Sequence, residues 1–134
     1  MNLKAPDRIL NYIAGSLQAP IDGKYMPNIN PATGSAYSET PDSNEKDVAE
    51  AIGAARAAFL KWSTTPAEER FKVLNRIAEL IDHNLDALAL AETNDNGKPL
   101  WLSKKVDIPR ASSNFRFFAT GIMHTSRECH HMED

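Results

Sequence analysis

The stretch from Phe71 to Leu88 limits the possible folds of this chain more than any other. Phe71, Leu74, Ile77, Ala78, Ile81, Leu85 and Leu88 recur at helical spacing along one face. Ahead of them, Thr65-Pro66-Ala67-Glu68 has the pattern of a capping box with proline at the first helical position. Behind them, Asn94-Asp95-Asn96-Gly97-Lys98-Pro99 offers a left-handed stop at Gly97 and a block at Pro99. The spacing predicts one helix over about 66–92, about 40 Å long at 1.5 Å per residue. A helix with so wide an apolar face needs a partner, because most helical stability in proteins comes from packing that face.

Two more helices are expected beside it. Val48, Ala51, Ile52, Ala55, Ala58, Phe59 and Trp62 form a continuous stripe, which predicts a helix over about 45–62 with Ser43 or Asn44 as its cap and Asp47 favourable beside the N-terminal dipole. A third helix is expected over about 100–125, kinked near Asp107 to Pro109 because proline lacks an amide proton and crowds the preceding turn. The first forty residues read differently. Asn11–Leu17, Lys24–Ile29 and Ser35–Thr40 are β-prone and are separated by the turn sequences Pro20-Ile21-Asp22-Gly23 and Asn30-Pro31-Ala32-Thr33-Gly34. They predict a small antiparallel β meander over about 9–40, too small to stand alone. The reading is therefore an α+β fragment over 1–134, one domain or part of one, with a meander, three long helices and a tail from 126 to 134.

Composition excludes several classes. With 15 Lys+Arg against 18 Asp+Glu, the net charge is -3, so the basic face that a nucleic-acid partner requires is not expected. No run approaches the roughly 18 apolar residues of a membrane helix. The first fifteen residues lack a signal-peptide pattern. The single cysteine, Cys129, cannot close an internal disulfide. A cytoplasmic location is the expectation.

Chemistry is sparse. The six glycines never form a phosphate cradle. His124, Cys129, His130 and His131 lie close together, but adjacent residues point apart and no second ligand pair faces them, so a solvated tail is the simpler reading. Cys129 has Arg127 and His130 to lower its pKa and Glu128 to oppose them. His83 falls on the outer side of the second helix. Arg110 is more informative, since Val106, Arg110 and Asn114 share one face of the third helix. Its guanidinium offers a fork of donors suited to a carboxylate. The competing reading is a surface ion pair with Asp107 or another acid.

Three motifs in order, Asn30-Pro31-Ala32-Thr33-Gly34, Ala54-Ala55-Arg56-Ala57-Ala58-Phe59 with Trp62, and Asp95-Asn96-Gly97-Lys98-Pro99, resemble the N-terminal segment of the NAD(P)-dependent aldehyde dehydrogenase superfamily. The resemblance covers about residues 9–125. Val106-Asp107-Ile108-Pro109-Arg110 followed by Asn114-Phe115-Arg116-Phe117-Phe118-Ala119 is similar to the muconic semialdehyde dehydrogenase subgroup. The fold implied is the outer part of an α/β cofactor domain. The activity implied is oxidation of an aldehyde to an acid with NAD or NADP, through a cysteine thioester and a glutamate-activated water, in a homo-oligomeric enzyme. The catalytic and cofactor-binding residues of that pattern belong to later segments, so none is expected in this chain, nor is a cofactor bound by it alone. The resemblance further implies that Val106 and Arg110 border the substrate entrance and suit a carboxylate-bearing semialdehyde. It also implies a monovalent cation held by main-chain oxygens of Asn28 and Ile29 and by Asp95. The alternative expectation is a free-standing protein-interaction module derived from a truncated dehydrogenase.

Overall fold

The structure is a computed structural model and describes residues 6–125. The β front is four strands in two separate hairpins rather than a single meander. β1 (Asn11–Ile13) pairs antiparallel with β2 (Ser16–Gln18), so the stretch expected as one strand folds back on itself. The reason lies in Ala14 and Gly15, both at positive φ (52° and 84°), which is the backbone that a two-residue hairpin turn requires. β3 (Tyr25–Asn30) pairs with β4 (Ser35–Pro41) across the turn at 31–34. That turn is closed by the Gly34 amide donating to the Asn30 carbonyl at 2.8 Å and the Ala32 amide donating to Asn30 Oδ1 at 2.9 Å. Residues 7–9 run parallel beside β4 through a bridge between Arg8 and Glu39.

Helix α1 spans Glu45–Trp62 and is capped by Asn44, whose side chain accepts from the Lys46 and Asp47 amides while Asp47 accepts from the Asn44 amide. The expected helix over 66–92 is two helices, α2 (Ala67–His83) and α3 (Leu85–Asn96). Asn84 separates them: its φ/ψ of −105°/19° leaves the helical region and its Nδ2 donates to the Leu80 carbonyl at 2.8 Å. The Leu80 carbonyl also accepts from the Asn84 amide at 3.1 Å, and apolar periodicity alone passes over such a local side-chain bond. The expected Thr65–Glu68 capping box does not form either. Pro66 is the N-cap with no side-chain bond, and the Thr65 hydroxyl instead donates to the Lys61 carbonyl at 3.0 Å.

After Gly97 the chain continues through α4 (Leu100–Leu102), a π-helical turn (Ser103–Asp107) and α5 (Ile108–His124). The irregularity ahead of Pro109 takes the form of this widened turn, with the Ile108 amide donating to the Ser103 carbonyl five residues back.

The core is small. α2 lies along α5, α3 packs on the π turn and on β3, and α1 touches β1. The buried apolar residues are Ile13, Ala78, Ala89 and Ala119, and Ser103 and Ser112 are buried with them. Small residues at the crossings let the helix backbones approach closely. Arg116 of α5 ties to Asp82 of α2 at 2.5 Å. No described helix is long and apolar enough to cross a membrane.

Much of the apolar surface is bare. The stripe on α1 is part of it, with Val48 53%, Ile52 47% and Phe59 64% exposed.

The α2–α5 tie carries a pH dependence. The Ser112 hydroxyl and the Arg116 guanidinium hold the Asp82 carboxyl below its ordinary value. The native group therefore titrates lower than the unfolded one, so its contribution is complete above the unfolded value and is lost as pH falls through the depressed one. Amide-exchange protection of α2 and α5 is expected to decline modestly below about pH 4. Asp82→Asn should flatten that decline, and an unchanged profile in this variant would remove Asp82 as its cause.

Candidate functional site

Two constellations contain the candidate residues. The first joins the β3–β4 hairpin to the end of α3. Asn28 on β3 and Asp95 on α3 come together there, 67 positions apart in sequence, with Asn28 Nδ2 donating to Asp95 Oδ1 at 3.3 Å. Tyr37 completes the cluster: its hydroxyl donates to Asp95 Oδ1 at 3.0 Å and accepts from Asn28 Nδ2 at 2.9 Å. Tyr37 reaches this place through a register shift. Asn28 lies opposite Ser38 and Ile29 opposite Ala36, so Tyr37 is the extra residue of a β-bulge. Burial first, then the Asp95 carboxylate, push the Tyr37 phenol above its ordinary pKa. Ile29, the third residue of this candidate group, is 44% exposed on β3. Among the described residues, no three of the His, Cys, Asp and Glu side chains gather as a metal site.

The hairpin turn closes the same junction from the other side. Gly97 caps α3 in the left-handed conformation at φ 76°. A Cβ placed there would stand 2.8 Å from Pro31 Cγ. The turn 30–34 and the motif 95–99, read separately in the sequence, are thus packing partners.

The second constellation is the outer face of the π turn and of α5. Val106 is 41% exposed, and Arg110 and Asn114 are exposed with it. The surface ion pair expected between Arg110 and Asp107 is absent. Asp107 is instead held by Lys98 at 2.8 Å, and among the described residues no acid pairs with Arg110. An exposed guanidinium without a carboxylate keeps its donors available to one from outside. Phe117 and Phe118 stand further along α5, 69% and 64% exposed, with their rings edge-to-face at 5.3 Å.

The remaining candidates do not join either group. His83 and His124 are exposed at the ends of α2 and α5. Cys129, His130, His131 and the expected tail from 126 lie outside the described residues. Tyr37 and Lys98 are the contributors that the sequence reading missed. Bulges leave no composition signal, and an ion pair across two elements follows no helical spacing.

Comparison with known proteins matches the model of the aldehyde dehydrogenase family over residues 19–134. The chain is 43% identical to 2-aminomuconic semialdehyde dehydrogenase of Bos taurus over 119 residues, covering 84% of this chain and 24% of the bovine protein. It is 41% identical to the Homo sapiens protein of the same name, again covering 84% of this chain and 24% of that protein. Among solved structures, it superposes on indole-3-acetaldehyde dehydrogenase in its apo form with a TM-score of 0.90 at 30% identity, covering 98% of this chain and 31% of that one. It superposes on the NAD+ complex of a Bacillus cereus aldehyde dehydrogenase with a TM-score of 0.82 at 32% identity, covering 84% of this chain and 23% of that one. The chain spans about a quarter of the length of the curated relatives it matches. With the hairpin-to-helix junction built from two motifs of that pattern, and with the family model matching most of its length, the chain belongs to the aldehyde dehydrogenase family.

Proposed function

We propose that this segment is the outer layer of the cofactor domain of an enzyme that oxidises a carboxylate-bearing semialdehyde to the acid with NAD or NADP, and that it supplies part of the substrate entrance. The observation that carries the entrance role is Arg110, exposed beside Val106 and paired to no described acid. A planar guanidinium matches a carboxylate with two parallel bonds, and Val106 offers an apolar contact beside it. The names of the bovine and human relatives point to the same substrate class.

Among the described residues, the first turns of α1, α2 and α3 do not suit a dinucleotide's pyrophosphate. Asn44 and Asp47 occupy the first amides of α1. Glu68 and Glu69 open α2, and Asp86 opens α3. A pyrophosphate needs free amides and a positive helix end, and acids in the first turn repel it. In this reading hydride transfer and acyl chemistry belong to parts of the enzyme outside this segment, and this chain's contribution is to bind and orient.

The bare stripe on α1 favours this reading over a free-standing interaction module. An independent domain of this size would bury Val48, Ile52 and Phe59, and here each is about half exposed or more.

The test is kinetic. In a dehydrogenase carrying this segment, Arg110→Ala is expected to raise KM for a carboxylate-bearing semialdehyde about tenfold, with little effect on an uncharged aldehyde of similar length. Equal changes for the two substrates would reject the carboxylate role.

A further inference from the structure

The π turn that carries Val106 is held at both ends by the end of α3. Ser103, its first residue, is fully buried, and its hydroxyl shares a hydrogen bond with Thr93 Oγ1 at 3.2 Å. Asp107, its last residue, accepts from Lys98 Nζ at 2.8 Å, and the same ammonium lies 3.4 Å from Glu92 Oε1. Thr93 and Glu92 belong to α3, and Lys98 follows directly on the Gly97 stop. Both clamps therefore start from one rigid junction.

The Lys98–Asp107 pair is not an ordinary surface contact. Its side chains are 30% and 28% exposed, whereas those of the Lys72–Glu68 pair on the open face of α2 are 57% and 66% exposed. Partial removal from water strengthens an ion pair and makes it more sensitive to geometry. A π turn is rare, with a main-chain bond spanning five residues in place of four, and occurs mostly as a single widened turn at functional sites. Pro109 contributes by crowding the carbonyl four residues back, and the clamps retain the displaced turn. One extra residue in a turn rotates everything beyond it by about 100° relative to a continuous α-helix. The direction in which Arg110 points is thus set by whether the turn stays wide.

We propose that Lys98 is a positioning residue for substrate recognition: by holding Asp107 it keeps the π turn open and so aims Arg110 at the substrate's carboxylate, with Val106 as the apolar contact. This rests on the entrance role argued above, and its test separates the two.

The first measurement uses the full chain. Backbone NMR of Lys98→Met is expected to show altered shifts confined to Ser103–Arg110 and about tenfold faster exchange of the Ile108 amide, and Lys98→Arg should preserve both. The second uses the bovine 2-aminomuconic semialdehyde dehydrogenase with its matching quarter replaced by this segment. Lys98→Met should raise KM for the carboxylate-bearing semialdehyde about fivefold with kcat within about twofold, and Lys98→Arg should restore it. A purely structural loss would lower kcat for charged and uncharged aldehydes alike, and that result would overturn the proposal. An unchanged 103–110 backbone in Lys98→Met would overturn it as well. If Arg110→Ala leaves KM unmoved while Lys98→Met alters the turn, the entrance reading fails and the positioning of Arg110 for substrate falls with it, but the clamp on the turn stands.

Discussion

Gly97→Ala is expected to remove about 3 kcal/mol of unfolding free energy, the largest loss of any glycine-to-alanine change in this chain. Two costs combine at this position. Gly97 sits at φ 76°, a conformation that costs a side-chain-bearing residue about 1 kcal/mol. The added Cβ would also stand 2.8 Å from Pro31 Cγ and 3.5 Å from the Ala32 nitrogen, so the hairpin turn must move or the helix end must unwind. Gly34 separates the two costs. It has φ 69° but nothing within 4 Å of a Cβ, so Gly34→Ala should cost only about 1 kcal/mol. Urea titrations of both variants measure the contact as the difference between them. Adding Pro31→Ala to Gly97→Ala should return about 1 kcal/mol by removing the nearest atom. Equal losses at the two glycines would mean that the turn and the helix end do not bear on each other.

Asp47→Ala should be nearly as damaging, for an electrostatic reason. Asp47 is 4% exposed, and its two carboxylate oxygens accept from two main-chain amides outside α1, Ile21 at 2.9 Å and Asn44 at 2.9 Å. One bond completes the helix cap and the other fastens the loop after β2 to the start of α1. The loss expected is about 3 kcal/mol, because hydrogen bonds to a charged acceptor are worth more than neutral ones and two amides would be left without their partner. Asp47→Asn keeps the shape and one acceptor oxygen and should cost about half as much. Hydrogen exchange should show the loss concentrated in α1, which has little else to hold it beyond its contact with β1. Faster exchange spread evenly over α2 and α5 would contradict this local role.

The legible and illegible parts of this protein divide along a physical line. Helix α1, its cap at Asn44, the left-handed stop at Gly97 and the irregularity ahead of Pro109 follow from neighbours within a few residues, and the sequence carries them openly. The order of the three motifs sufficed to suggest the family. The break at Asn84 was hidden because the apolar stripe continues through it, while the Asn84 backbone leaves the helical region and its side chain and its own amide share the Leu80 carbonyl. Thr65 read as a cap because the motif is local, but the end of α1 supplied a competing acceptor at Lys61. The turn at Ala14–Gly15 had a glycine to mark it, and alternation of apolar residues on either side concealed it.

The candidate sites divide in the same way. Arg110 and Asn114 are four residues apart within α5, a spacing legible in the sequence, whereas Val106 lies in the π turn, whose extra residue no periodicity shows. That Arg110 remains without an acid was decided in three dimensions, since Lys98 arrives from another element and takes Asp107. Asn28, Tyr37 and Asp95 meet only because a bulge turns one strand and a helix ends beside it. By itself the sequence determined α1 and its cap, the stop at Gly97, the irregularity ahead of Pro109 and the family pattern, since these depend on backbone preference and periodicity over a few residues. The tertiary structure alone decided which charges pair, which motifs touch and which apolar faces stay bare, because those outcomes depend on distances between segments that no local pattern encodes.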